Sequence, residues 1–433
     1  MDDVIVVGAG PAGNNTALGL ASRGFAVAVI DSRQVIGDKL CTGIVGLECT
    51  RRFPIDPSFV YHNASAADVT ATGADSVRFE TAAPQGQIIN RAAYVTSFAL
   101  RAQEHGAIYW LGERVQRVTP DTDGVTVVTD SGTYRSRAVV LASGFGSPLT
   151  RQVGLGTVPD YVTGTQVEVS ISPGVDKVQL FVGHDVAPGF FSWLVPTSAG
   201  RGLAGLMARQ QAPDHLSEFL QRLRREGKID SVAGIPACWG IPLRPLKITH
   251  KDRVLIAGDA AGQVKPTTGG GIYYSLLASE IASQVLADAL SENDLSAPRL
   301  SQYQKRWKAL LSKELEVGYS ARRLFEALND QQISSLVMQA GAKGIHNELL
   351  KSGGLSFDWH SGLIGRVVRH PVLGSALGLI NPLLARLAKT PDPLPDQFSD
   401  QLPGKLPDQF PHHSPNFHPS GGSITEPLPD SSS

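Results

Sequence analysis

Along the first third of the chain, short unbroken apolar runs alternate with segments of helical spacing. Val4-Ile5-Val6-Val7 has no polar break, the pattern of a strand covered on both faces. Residues 11–23 follow with helical character, and Val27-Ala28-Val29-Ile30 is a second buried strand. Over residues 91–106, Ala92, Val95, Phe98, Ala99 and Ala102 share one face, which predicts another helix. Residues 125–129 and 134–137 predict a hairpin turned at Asp130-Ser131-Gly132. Ala138-Val139-Val140-Leu141-Ala142 is a further apolar strand ending in a Gly-rich turn.

From residue 166 the pattern changes. Residues 166–171, 177–182 and 191–195 are candidate strands separated by Pro and Gly, which predicts an antiparallel sheet inserted into the first domain. Residues 254–257 return to a buried strand, and a helix is expected over 271–290. The expected fold class is therefore α/β, with a Rossmann-type domain at 1–165 and 250–290. An antiparallel-sheet substrate domain at 166–249 interrupts it, and a helical region follows at 291–390. Residues 391–433 are rich in Pro, Ser, Asp and His and repeat Leu-Pro-Asp-Gln-Phe. Such a tail buries too little apolar area to offset its ordering entropy and is expected to be disordered, with His412, His413 and His418 solvated.

Composition narrows this picture. A chain of 433 residues, 42% hydrophobic and 18% charged, is long enough for two domains. Its formal net charge of -1 gives no global attraction for nucleic acid. No apolar run approaches the roughly 18 residues a spanning helix needs. The first strand begins so early that a signal peptide is not expected. Three cysteines, Cys41, Cys49 and Cys238, are too few for a disulfide framework and lack metal-ligand spacing with histidine. No metal is expected, and the cytoplasm is the expected compartment.

The chemistry begins at Gly8-Ala9-Gly10-Pro11-Ala12-Gly13. Gly8 permits the turn out of the strand, Gly10 admits a pyrophosphate close to the backbone, and Gly13 lets the helix pack on the sheet. The helix N-terminus offers free N–H groups to phosphate. Asp31, followed by Ser32 and Arg33, closes the second strand where a carboxylate can hold a ribose hydroxyl. A second loop lies far away, at Gly258-Asp259-Ala260-Ala261-Gly262, with Pro266 and then Gly269-Gly270-Gly271 opening a helix at Ile272. Two loops so far apart suit FAD better than NAD. The helix near Gly271 would aim its positive end at the flavin pyrimidine ring.

Together these motifs resemble FAD-dependent oxidoreductases of the para-hydroxybenzoate hydroxylase type, and further residues resemble the geranylgeranyl reductase family. Lys39-Leu40-Cys41-Thr42-Gly43 is similar to that family's Lys-x-Cys-Gly-Gly segment, with Thr42 replacing the first Gly. Phe191-Ser192-Trp193-Leu194-Val195-Pro196 is similar to its Tyr-x-Trp-x-Phe-Pro signature. Arg91 fits the cofactor-contacting arginine of this fold, whereas Val95 stands where an Asp is expected. The resemblance covers about residues 1–290. It implies hydride transfer from reduced FAD to carbon–carbon double bonds of an isoprenoid chain, with NADPH or a ferredoxin-like protein as electron donor. It also adds Lys39, Cys41, Ser143 and Gly144 to the cofactor set.

Such a reaction needs exclusion of water, a held alkene and one proton. Phe190, Phe191, Trp193, Leu194, Tyr273 and Tyr274 are expected wall residues, with Phe191, Trp193, Pro196 and Tyr273 as the substrate contacts. Cys41 is the candidate catalytic residue, against the ordinary fate of a lone cysteine as buried structure. Cys49 and Cys238 are read as structural. An aromatic monooxygenase or halogenase on the same fold is the alternative, because residues 191–196 also resemble the halogenase Trp-x-Trp-x-Ile-Pro stretch. Hydroxylases of this fold usually carry Asp-Gly in the turn that here reads Ala142-Ser143-Gly144. A flavin-binding subunit without its own reaction is the third reading. Residues 372–387 form an interrupted apolar segment flanked by basic residues, suited to peripheral membrane contact or to a pair of core helices.

Overall fold

The computed structural model describes residues 1–39, 41–198, 200–342 and 356–370. The proline-rich tail and the apolar segment 372–387 lie outside the described residues, as does Leu40. The fold is α/β and Rossmann-type. Five parallel strands lie in the order Val254–Ile256, Thr133–Leu141, Asp2–Val7, Val27–Asp31 and Ile108–Leu111. The unbroken apolar runs have a direct cause, since both faces of these strands are covered. Val4, Val6 and Val29 face a helical layer, whereas Ile5, Val7, Ala28 and Ile30 face the side carrying Val118, Val125 and Val127.

The helical layer is built around the helix Pro11–Ala21, which packs against Arg91–Glu104 and Ile272–Ser291. This first helix is buried nearly all round, so it lacks a polar stripe. Its two asparagines pin it. Asn14 Nδ2 donates to Ala9 O and Val95 O, both at 3.1 Å. Asn15 Nδ2 donates to Leu276 O and Ser279 Oγ. The 30-residue helix Ala297–Glu326 then crosses this layer, burying Tyr303, Trp307 and Leu311.

The second sheet runs in the order Ile229–Val232, Tyr161–Ile171, Arg201–Ala208, Phe191–Pro196, Val178–Val182, Ala66–Ala71 and Val77–Glu80, and Ala237–Pro242 also pairs with Tyr161–Ile171. Its pairings are antiparallel except one, because Ala66–Ala71 runs parallel to Val178–Val182. The expected inserted sheet is thus antiparallel apart from this one pairing, and it takes in strands beyond residues 166–249. Two of its strands come from residues 66–80, whose short half-buried pattern gave no strong period. One face packs on the helix Ala212–Arg225, where Phe219 meets Phe181 edge to face at 5.1 Å. Leu216, Phe219 and Leu223 are buried there, each worth about 1.5–3 kcal/mol. The other face looks toward the dinucleotide loops.

The hairpin at 125–137 also differs from expectation. Its second strand does not stop but continues as the parallel strand Thr133–Leu141, so one strand serves a meander and the central sheet. Among the described residues, no helix is long and apolar enough to cross a membrane.

Candidate active site

The first strand ends at Val7, and Gly8 turns the chain with φ +111. A Cβ on Gly8 would lie 2.4 Å from Ala142 O, and one on Gly13 would lie 1.8 Å from Gly8 O. Both positions therefore accept only glycine. A Cβ on Gly10 would meet nothing within 4 Å, so its side faces open space. Gly10 caps the helix without any side-chain acceptor, and Pro11 stands at the first turn. The N–H groups of that turn are left for a ligand. Asp31 Oδ2 accepts the Ala9 N–H at 2.6 Å, and Oδ1 accepts the Arg33 N–H at 2.8 Å. The carboxylate thus fixes the loop while keeping lone pairs for a ribose.

The second loop lies opposite. Gly258–Ala261 forms a single 3-10 turn that carries Asp259. Lys39 Nζ donates to Asp259 Oδ2 at 3.1 Å and ties the segment before Cys41 to this loop. Arg91 Nη1 donates to Gly37 O and Lys39 O, both at 3.0 Å, so it shapes the segment leading to Cys41. Gly271 caps the helix Ile272–Ser291, again without a side-chain acceptor. Ser143 Oγ is buried with no hydrogen-bond partner among the described residues. Two uncapped helix starts, an open Gly10 and an orphaned hydroxyl line one cavity of about 630 Å³, and these residues fit FAD.

The second sheet supplies the apolar wall. Phe191, Trp193 and Val195 line the cavity together with Leu180, Met207 and Ile241. Trp193 Nε1 donates to Gln166 Oε1 at 2.9 Å, which fixes the amide and leaves Gln166 Nε2 buried without a partner. The expected wall was too wide. Strand periodicity turns Phe190, Leu194 and Pro196 to the opposite face, so none of them lines the cavity. Phe190 instead lies beneath the Arg322 guanidinium, 3.3 Å from the ring centroid.

The far wall was not anticipated from sequence. Residues 356–360 return to the dinucleotide domain, and Phe357 and Asp358 reach the cavity. Asp358 Oδ2 accepts the N–H groups of Glu48 and Cys49 at 3.0 and 3.2 Å. Glu48 in turn accepts from Tyr273 Oη at 2.9 Å and Trp359 Nε1 at 2.5 Å. Lys265 lies beside Asp358, its Nζ 3.6 Å from Oδ1. Burial lowers the lysine's pKa against the opposing pull of Asp358. Burial pushes the Cys49 thiol up, with Asp358 adding to it. A Lys-Pro dipeptide before a glycine triplet was the one visible signal. Asp358 lies 93 residues further on and carried none.

Of the residues singled out in the sequence, Gly8, Gly10, Pro11, Ala12, Asp31, Arg33, Lys39, Cys41, Arg91, Ser143, Gly144, Gly258, Asp259, Gly269, Gly270, Gly271 and Ile272 line this cavity, with Phe191, Trp193 and Tyr273. Gly13, Ser32 and Pro196 do not. Gly13 packs on Gly8, Ser32 is exposed, and Pro196 lies at the strand end. Tyr274 is buried behind Lys265, 5.6 Å from its ammonium. Cys41 is half-buried in the cavity wall, Cys49 is buried, and Cys238 is exposed at the rim. Among the described residues no cluster could hold a metal ion.

The family model described as FAD dependent oxidoreductase matches residues 64–275. The chain is 29% identical over 360 residues to digeranylgeranylglycerophospholipid reductase 2 of Methanopyrus kandleri, covering 77% of this chain and 89% of that protein. It is 27% identical to the digeranylgeranylglycerophospholipid reductase of Methanocaldococcus jannaschii, over 78% of this chain and 90% of the relative. Among solved structures, a geranylgeranyl bacteriochlorophyll reductase-like protein from Thermoplasma acidophilum superposes with a TM-score of 0.74 at 20% identity, covering 89% of this chain and 98% of that one. The flavin-dependent brominase Bmp2 superposes at 0.62 with 16% identity, over 81% and 92%, and shares the fold.

Proposed function

We propose that the chain is a geranylgeranyl reductase-like FAD-dependent oxidoreductase that saturates carbon–carbon double bonds in a prenyl chain of a lipid. The observation that carries this reading is the apolar sheet wall of Phe191, Trp193 and Leu180 facing both dinucleotide loops across one cavity. Bound FAD would supply the hydride. The residues to hold it are the Gly8–Gly10 turn and Asp31 at the adenosine end, Lys39 and Asp259 between, and Gly269–Gly271 at the flavin end.

This chain's own part is positioning and dehydration. The apolar strands hold an alkene without offering it a nucleophile, and their burial keeps water from the reacting carbons. Trp193, fixed by Gln166, presents an aromatic face to positive charge that develops on the substituted carbon. Cys41 lies in the wall beside the cofactor segment, where it can tune or relay a proton. NADPH or a ferredoxin-like carrier would return electrons, and substrate would be drawn from a membrane surface.

The test is anaerobic incubation of the purified protein with dithionite and a digeranylgeranyl glycerophospholipid. Products heavier by two mass units per bond support the reading. Turnover that requires oxygen, with a product gaining an oxygen or a halogen, would give the monooxygenase or halogenase reading instead.

A further inference from the structure

Lys265 belongs to the flavin-end loop, yet nothing above assigns its ammonium a task. Its N–H donates to Gly270 O at 3.1 Å, and its carbonyl accepts the Gly269 N–H at 2.9 Å, so its backbone shapes the glycine triplet. The residue is 4% exposed. It runs between the Tyr274 and Phe357 rings, 5.6 and 5.0 Å from their centroids. Nζ donates to Phe357 O at 2.6 Å.

Its partnership with Asp358 is unlike that of a structural ion pair. The separation is 3.6 Å, beyond a hydrogen bond, and Asp358 Oδ1 has no hydrogen-bond partner among the described residues. A buried pair kept for stability closes to about 2.8 Å and satisfies both carboxylate oxygens. Here two desolvated charges are held apart in the wall of the cavity, and an unsatisfied oxygen faces the ammonium.

Reduction of an isolated alkene takes a proton as well as a hydride. Other protic groups of the cavity wall include Cys41, Lys39, which is paired with Asp259, and Tyr273, which donates to Glu48, but Lys265 is the one desolvated cation beside an unsatisfied carboxylate oxygen among the described residues. We propose that Lys265 is the proton donor of the reaction, its ammonium delivering a proton to the alkene carbon next to the one that receives hydride, with Asp358 as its positioning residue. This rests on the prenyl-reductase reading. The hydride makes one new C–H bond. The alkene π pair takes a proton from Lys265 Nζ and makes the second, while the N–H bonding pair stays on nitrogen. The alkene gains two electrons and the reduced cofactor gives up two. The neutral amine regains its proton from water admitted as the product leaves. The charged and titratable groups facing Lys265 are Asp358, Cys49, Glu314, His360 and Tyr274. The lowered lysine pKa fits a donor whose proton is easily released.

The experiment is single turnover. FAD-loaded protein is reduced with dithionite without oxygen and mixed with a digeranylgeranyl glycerophospholipid, and flavin reoxidation is followed by absorbance. Lys265→Met and Lys265→Arg are each expected to lose on the order of a hundredfold in reoxidation rate. Affinities for FAD and for the saturated lipid should stay within about threefold. Lys265→Arg is decisive, because arginine keeps the cation beside Asp358 but does not release a proton. The wild-type rate should fall as pH rises through the lowered Lys265 pKa, and the residual rate of Lys265→Met should lack that limb. If Lys265→Met does not fold, the double variant Lys265→Met/Asp358→Leu removes both charges together. Rates within about threefold of wild type in Lys265→Arg and the double variant would overturn the inference and leave the reductase reading intact. Absence of reoxidation by this lipid in the wild type would overturn both.

Discussion

Lys39 and Asp259, 220 residues apart in sequence, meet at 3.1 Å in the cavity lining and tie the segment before Cys41 to the Gly258–Gly262 loop. Each is partly exposed, at 30% and 23%, so the pair alone adds little to stability. Its weight falls on the cofactor. Lys39→Ala is expected to shift the melting temperature of the FAD-free protein by less than about 3 °C. The FAD dissociation constant should rise about three- to tenfold, measured by flavin fluorescence titration.

Gly10 and Gly13 should separate folding from binding. Gly13→Ala drives a methyl group against Gly8 O, 1.8 Å away, and is expected to lose roughly 3 kcal/mol or more in denaturant unfolding. Gly10→Ala meets nothing in the protein and should leave FAD-free stability nearly unchanged. Its methyl group occupies phosphate space, so FAD retention on purification should fall sharply.

Trp193→Phe keeps the aromatic wall but removes the only donor to Gln166 Oε1 among the described residues. An unsatisfied buried oxygen costs about 1–3 kcal/mol. Chemical denaturation should show that loss, with a raised KM for the prenyl lipid because the amide is no longer fixed. Gln166→Leu, combined with Trp193→Phe, should recover part of the stability and none of the KM.

The far wall should respond to acid. Burial pushes the His360 imidazole down to about 4, with Lys265 adding to the shift. The folded state therefore holds it neutral while the unfolded segment takes a proton near the ordinary value of 6.5. This contribution is fully present above about 6.5 and is lost as pH falls toward 4. Trp359 fluorescence and hydrogen exchange at residues 356–370 should report loosening over that window. In His360→Phe the window should vanish.

The dinucleotide half was legible because its signals are local. A glycine turn, a following helix and an acid at the next strand end lie within residues 8–31 and each answers to one physical need. The sheet wall was half legible. The motif around Trp193 marked the strand, but strand parity turns Phe190, Leu194 and Pro196 away from the cavity. The strands at 66–80 were missed because short half-buried strands carry weak periodicity. Asp358 was beyond local reading altogether. Its meaning comes from two backbone N–H groups at Glu48 and Cys49, more than 300 residues earlier.

That last contact also sets an order of events during synthesis. Every loop that cradles the cofactor has left the ribosome by the time residue 272 emerges. Phe357 and Asp358 follow 85 and more residues later, and only then does the prenyl pocket have its end wall. A nascent chain can thus accept its cofactor before it can enclose a lipid.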